Sequence, residues 1–258
     1  MEAVSPPQFR ILDVRLDNVQ VGEAVSQIVL HAGATSASPC QMALVDAHSL
    51  EMACVDPGYR DVLSRARRVF ADGLGVRLAA RMHGVEGVES VSRGDLLPTL
   101  CGALAGSGIG VYLLGGQPGG AEDVARRLVA DNPGVDVRGV SHGCFPESES
   151  FDVARRIRAS GAHLLLVAMG VPRQEKWIDR HLHRCGVNVA VGVGALPELS
   201  RAAPVEVPPW VRNRRLEWAW RIYRDSSCLW WRVRQGGTPR LLLRVAGHRL
   251  LTSLGVGR

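Results

Sequence analysis

The chain reads as an α/β protein with a Rossmann-like, mainly parallel sheet flanked by helices and a helical C-terminal appendage, and three observations predict this. Short apolar runs alternate with helical periods, the rhythm of βαβ units. The runs in the second half are apolar throughout rather than on alternate residues, as in strands buried on both faces of a parallel sheet. After Pro209 the strand-like runs stop and only helical pattern remains, so a catalytic body is expected over residues 1–209 and a helical appendage over 210–258.

The elements follow in order. Arg10 to Leu16 alternates like a strand, and Val21 to Ala32 has apolar residues at helical spacing. Gln41 to Asp46 is a short apolar strand, and Ser49 to Ala66 a helix broken near Asp56-Pro57-Gly58. Val69-Phe70-Ala71 is a strand, Leu74 to Met82 a helix, and Asp95 to Gly106 a second amphipathic helix. Gly110 to Leu114 is a buried strand, Gly115 to Gly120 a loop, and Ala121 to Ala130 a helix. Val135 to Val140, His163 to Met169 and Val187 to Val193 are further strands, with helices over Ser150 to Ser160 and Arg173 to Cys185.

The chain has 258 residues, enough for one large domain with an appendage. Its formal net charge is +6, unevenly placed: residues 210–258 hold 11 arginines against 2 acids, and five of the six tryptophans. A basic, Trp-rich tail on a mildly acidic body suits a polyanionic partner: an anionic membrane surface, a diphosphate or a nucleic acid. The alternative is an appendage that packs its tryptophans on the body and leaves the arginines in water. No apolar run reaches the length of a membrane-spanning helix, and the N-terminus lacks the pattern of a signal peptide. The six cysteines are scattered without CxxC or metal-ligand spacing and read as cytosolic thiols, mostly buried.

Three segments are placed for chemistry. In Val69-Phe70-Ala71-Asp72-Gly73-Leu74-Gly75 a strand runs into an acid, then glycines, then a helix. Ligands of open α/β sheets bind at the carboxyl ends of the strands, and Gly73 and Gly75 permit close backbone approach there. Asp72 is therefore either a catalytic acid or a helix cap. Gly115-Gly116-Gln117-Pro118-Gly119-Gly120 also joins strand to helix, offering free N–H groups for a phosphate. It is neither a Walker A loop nor an ordered GxGxxG. Gly170-Val171-Pro172-Arg173-Gln174-Glu175-Lys176-Trp177 opens a helix after a strand; Gln174 could pair with a base or sugar, Arg173 and Lys176 with phosphate, or Glu175 and Lys176 could be merely solvated charges. Lys176 is the single lysine of the chain, against 30 arginines.

Taken together and in this order, Ala71-Asp72-Gly73-Leu74-Gly75, Gly115-Gly116, Gly170 to Trp177 and Leu216-Glu217-Trp218 with Arg221 resemble the WecG/TagA/CpsF family of bacterial glycosyltransferases, family 26, over residues 10 to 245. The resemblance implies inverting transfer of a sugar (N-acetylmannosamine, its uronate or a related hexose) from a UDP-sugar to a polyprenyl-diphosphate-linked glycan in envelope or exopolysaccharide synthesis. It implies Asp72 as general base and no metal or other cofactor. It also implies a cytoplasmic enzyme held at the inner face of the plasma membrane. The appendage would close over the site, with Arg221, and beside it Arg214 and Arg224, on the diphosphate. The chain departs from the family pattern where Thr-x-Asn becomes Leu44-Val45-Asp46, so that either Asp46 or His48 substitutes as ligand or the acceptor differs. It departs again where Glu-Arg-Val-x-Gly-x-Asp becomes Glu89-Ser90-Val91-Ser92-Arg93-Gly94-Asp95. Arg93 then serves the anion only if its loop is re-aimed. Gly194-Ala195-Leu196-Pro197-Glu198 lacks an expected acid and aromatic.

Competing readings are the same chemistry on a soluble small-molecule acceptor, a nicotinamide-dependent oxidoreductase, and a non-catalytic membrane or nucleic-acid binder. The expected partners are UDP-sugar, a lipid-linked or small-molecule acceptor, the anionic membrane and a second copy of the chain, with no nucleic acid.

Overall fold

The structure, a computed structural model, describes residues 6–34, 38–194, 241–242 and 244–246. Its strands are β1 (Gln8–Ile11), β2 (Val14–Asp17), β3 (Cys40–Val45), β4 (Arg68–Ala71), β5 (Gly110–Gly115), β6 (Asp136–Ser141), β7 (Leu164–Ala168) and β8 (Val189–Gly192). Its helices are α1 (Val21–Ala32), α2 (Ala47–Val55), α3 (Pro57–Arg65), α4 (Gly73–Met82), α5 (Arg93–Leu104), α6 (Gly120–Asp131), α7 (Ser150–Ala159) and α8 (Arg173–Cys185). The strands form one sheet in the order β1-β2-β4-β3-β8-β7-β5-β6. Every pairing is parallel except the β1–β2 hairpin at the edge.

The apolar runs become central strands for the expected reason. β3, β4, β5, β7 and β8 are buried along nearly their whole length, and helices cover both faces. One face packs α1, α5 and α6 in a cluster with Phe70, Leu44 and Leu113. The other carries one cluster under α2, α3 and α4 and a second under α7 and α8. Leu241 and Val245 are fully buried in the first of these, four residues apart on a helical segment, so this segment is anchored on the body. The expected boundary at Pro209, Pro197, and the arginines 214, 221 and 224 lie outside the described residues.

Two sequence expectations change. The single strand over Arg10 to Leu16 is a hairpin, turning at Leu12 and Asp13 with φ of 47° and 68°. Two positive φ values in a two-residue loop make a turn matched to strand twist, normally signalled by Asn-Gly or Asp-Gly. Here neither residue is glycine, so the alternation hid the break. The helix expected from Asp95 starts two residues earlier, at Arg93, whose side chain is buried rather than left in a loop. The break at Asp56 is as expected: the Asp56 carboxylate accepts from the Tyr59 N–H at 2.9 Å and Pro57 opens α3.

Asp17 is buried in the ladder, accepting from the Val69 N–H and from Gln8 Nε2, both at 2.7 Å, which ties the hairpin to β4. Gly115 ends β5 where the chain passes the Ala168 carbonyl: a Cβ there would lie 2.3 Å from that oxygen. Gly115→Ala should therefore lower unfolding free energy by about 2–3 kcal/mol, the scale of backbone-displacing overpacking, read by chemical denaturation. Retention of wild-type stability would mean that the β5–β7 junction opens freely.

Candidate functional site

The carboxyl edge of a parallel sheet gathers the loops that follow its strands. Val45 at the end of β3 is in register with Ala71 at the end of β4, so the next residues, Asp46 and Asp72, emerge side by side. The Asp72 N–H donates to the Val45 carbonyl at 2.9 Å. The segment after α4 returns to the same edge, where the Val91 N–H donates to the Ala71 carbonyl at 2.7 Å, and α5 starts two residues later with Arg93.

Arg93 is the centre of this arrangement. Its side chain is 10% exposed; Nε lies 3.1 Å from Asp72 Oδ2 and Nη1 lies 3.5 Å from Asp46 Oδ2. Nη2 donates to the Leu44 carbonyl at 3.4 Å. Arg93 reaches the two carboxylates from the first turn of α5, which begins beneath them. Leu44, where the family pattern has a hydroxyl, turns its side chain into the core cluster and contributes its backbone oxygen instead.

The two aspartates do different work. Asp46 caps α2: Oδ1 accepts from the Ser49 N–H and the Ser49 hydroxyl, each at 2.8 Å. Burial alone would raise its pKa, but Arg93, both Ser49 bonds and nearby His48 outweigh burial and hold the carboxyl below its ordinary range. Asp72 occupies the corresponding cap position of α4, yet its side chain makes no capping bond. It pairs with Arg93 and keeps 12% of its surface open. A helix cap was the competing reading of Asp72, and the side chain is turned away from that task.

The second motif meets the same cluster from below. Gln174 and Glu175 are fully buried, so Glu175 is no solvated charge. Gln174 Nε2 donates to Glu175 Oε1 at 2.6 Å, and Gln174 Oε1 accepts from the Gly194 N–H at 3.1 Å. A Cβ on Gly194 would come within 3.1 Å of Arg93 Nη1. Gln174, Gly194, Arg93 and the two aspartates are therefore one continuous contact chain. Burial pushes the Glu175 carboxyl up to about 7, with Asp46 adding to the push and the Gln174 amide, its own N–H and Arg93 opposing it. Tyr59 lies buried in the same pocket. Burial lifts its hydroxyl well above its ordinary pKa, and Glu175 raises it further. Among the described residues, Glu175 Oε2 has no hydrogen-bond partner.

The other residues singled out from sequence lie further along the edge. Lys176 is paired with Asp56 at 2.5 Å, joining α8 to the start of α3. Arg173 donates to the Phe145 carbonyl at 2.9 Å and lies over the Phe145 ring. Gly170 has φ of 78° and precedes the cis Val171–Pro172 bond that leads into α8. Gly115 and Gly116 lie at the end of β5, where the connection from β5 goes to β6 on one side and that from β7 goes to β8 on the other. That divergence is the topological switch point at which α/β sheets open a crevice. It lies four strand spacings from β4, about 19 Å. Gly116 accepts from the Gly143 N–H at 2.9 Å, and Gln117 Oε1 faces the exposed Cys144 thiol at 3.4 Å. Asp46, His48, Asp72 with Gly73 and Gly75, and Arg93 thus form one group, Gln174 and Glu175 support it, and Gly115, Gly116, Gln117, Gly170, Pro172 and Arg173 form a second group.

Sequence reasoning missed Ser49, Tyr59 and Gly194. Ser49 stands three residues after Asp46, the spacing of a cap and the N–H it satisfies, and that signal was available. Tyr59 carries no local signal, since only the packing of α3 on α8 brings it to Glu175.

The profile of the glycosyl transferase WecG/TagA/CpsF family matches residues 9–254. Three similar curated proteins share the name N-acetylglucosaminyldiphosphoundecaprenol N-acetyl-beta-D-mannosaminyltransferase. That of Bacillus spizizenii is 27% identical over 193 residues, covering 75% of this chain and 73% of its own. That of Bacillus subtilis is 25% identical over 167 residues, 65% of this chain and 64% of its own. That of Staphylococcus aureus is 25% identical over 244 residues, 92% of this chain and 91% of its own.

The buried Glu175 has a pH signature. Its ordinary pKa is 4.5 and its folded value about 7. Between these values the folded state holds a proton that the unfolded chain has released. Stability contributed by this group is therefore complete below about pH 4.5 and is lost as pH rises through about 7, on the order of 3 kcal/mol in total. Glu175→Gln, neutral throughout, should gain stability over the wild type by about 1–3 kcal/mol between pH 5 and pH 8. Denaturant melts at both pH values check this, and a pH-independent difference would place the shift elsewhere.

Proposed function

Since this chain belongs to the glycosyl transferase WecG/TagA/CpsF family, we propose that it transfers N-acetylmannosamine or a closely related hexose from a UDP-sugar, with inversion, to a sugar hydroxyl of a polyprenyl-diphosphate-linked glycan, with Asp72 as general base. The observation that carries the reading is the state of Asp72. It is a carboxylate at a helix start that caps nothing, is held by a buried guanidinium and is open to the carboxyl edge.

The chemistry asks for what these residues offer. An acceptor hydroxyl attacks the anomeric carbon as Asp72 takes its proton, and the bond to the UDP oxygen breaks on the opposite face. Charge then grows on the leaving diphosphate. Arg93 and the N–H groups at the starts of α6 and α8, behind Gly115-Gly116 and Gly170 to Pro172, are donors of the kind that stabilise such charge. Arg173 adds a cation at the second start, and Arg214, Arg221 and Arg224 of the appendage would add more. No metal is assigned a role. Arg93 also holds the Asp72 carboxylate in place before the acceptor arrives. Gln174 and Glu175 act beneath the ligand, holding Gly194 against Arg93. His48 and Asp46 border the acceptor side. The relatives' shared name, which specifies a mannosaminyl donor group and a diphosphoundecaprenol acceptor, supports both substrate assignments.

Asp72→Asn should bind UDP within about threefold of wild type by calorimetry while losing about 10²–10⁴ in kcat, the range of a positioned general base. Near wild-type turnover would remove Asp72 from the mechanism. Arg93→Gln should lower both kcat and UDP affinity, because the same cation faces the base and the anion.

A further inference from the structure

Helix α4 begins immediately after Asp72, and its solvent side carries an unusual stripe. Val76, Ala79 and Ala80 face the core. Positions 74, 77, 78 and 81 fall on the opposite face, at the spacing that lines one side of a helix. They are Leu74, Arg77, Leu78 and Arg81, all exposed, with Leu74 56% and Leu78 39% accessible. The other large exposed apolar side chains among the described residues are Leu30, Val55, Val129 and Phe151, which stand one to a helix. Among the described helices, only α4 presents two together. Neither Arg77 nor Arg81 forms an ion pair with a described residue.

The pattern has a physical reading. Leucines one turn apart, with arginines interleaved on the same face, suit an interface that is apolar at one depth and anionic at the next. Leucine side chains enter the acyl boundary while arginines extend to the phosphates. The stripe runs about 10 Å along the helix, too short to hold the chain on a membrane alone. It is not alone, however. The core under α4 is the cluster that also receives Leu241 and Val245, the described end of the appendage whose residues 210–258 carry 11 arginines. The described segment that carries these two residues is thus packed on the same layer of the fold as α4.

We propose that the Leu74–Arg77–Leu78–Arg81 face of α4 docks on an anionic lipid bilayer and sets Asp72, at the head of the same helix, against the membrane surface. This deepens the reading above and rests on it for the value of such placement: a polyprenyl-linked acceptor carries its reacting hydroxyl close to the bilayer. The leucines supply depth and the arginines select anionic headgroups.

The test uses the full chain with phosphatidylglycerol–phosphatidylcholine vesicles and no substrate. Leu74→Gln/Leu78→Gln should reduce vesicle partitioning about tenfold or more at both low and high salt. Arg77→Gln/Arg81→Gln should reduce it about tenfold at low salt, and the difference should vanish on purely phosphatidylcholine vesicles. With acceptors, the leucine variant should transfer to a short-chain water-soluble acceptor within about twofold of wild type and to a bilayer-embedded one about tenfold more slowly. Wild-type vesicle binding by both variants overturns the proposal. So does a leucine variant that keeps vesicle binding but loses self-association in sedimentation equilibrium, since α4 would then be a contact between copies. Failure of the glycosyltransferase reading would show separately, as a wild-type protein that turns over no UDP-sugar with any acceptor.

Discussion

A guanidinium taken out of water must be neutralised, or its burial is unaffordable. Asp72 and Asp46 neutralise Arg93, and its Nη2 also donates to the Leu44 carbonyl. The requirement explains features that look unrelated. β3 and β4 must end in register so that both carboxylates arrive together. The segment before α5 must dock on Ala71 so that the helix starts beneath them. Glycine suits residue 194, whose φ is 88° and where a side chain would crowd the guanidinium. The Asp46 bonds to Ser49 and the Gln174 bond to Gly194 fix the walls of the same small volume. Catalytic potential and local architecture are therefore the same set of contacts, with the two aspartates left partly open and Asp72 free of the capping role that Asp46 fills.

Proteins usually set the pKa of a functional group through its neighbours, and the two buried layers here are tuned in opposite directions. Asp46 is held low by the positive charge and hydrogen bonds around it, while Glu175 is held high because burial dominates. Asp46 is thereby held as an anion at the edge, while Glu175 beneath it takes up a proton as pH falls through about 7. A full negative charge under Arg93 would compete with Asp72 for it, and the raised Glu175 lessens that competition.

Much of this was legible in the residues. The apolar runs gave the parallel strands because a strand covered on both faces has no polar side to show. Asp72 was marked by the strand–acid–glycine order, and the Gly170 to Trp177 motif by its place at a helix start. What was not legible depends on distances between segments. Whether Asp72 caps or pairs is decided by Arg93, 21 positions away. Whether Glu175 is solvated is decided by how α8 lies on the sheet. Leu44 looked like a lost ligand when aligned by pattern, yet alternation turns its side chain to the core and leaves its carbonyl to serve. The hairpin at Leu12-Asp13 escaped because its turn uses neither glycine nor proline.

The pairing of Lys176 with Asp56 has a practical side. Lysine occurs once in 258 residues, so amine-directed reagents meet a single side-chain target, and that target bridges the first turn of α8 to the start of α3. Its side chain is 31% accessible and its ammonium is engaged by a carboxylate, so its labelling rate follows the docking of these two helices. The helix starts at a motif expected to hold ligand, and α3 carries Tyr59 to the buried carboxyl. A single covalent tag on this amine would thus report, without mutation, whether the floor of the site stays assembled as the protein works.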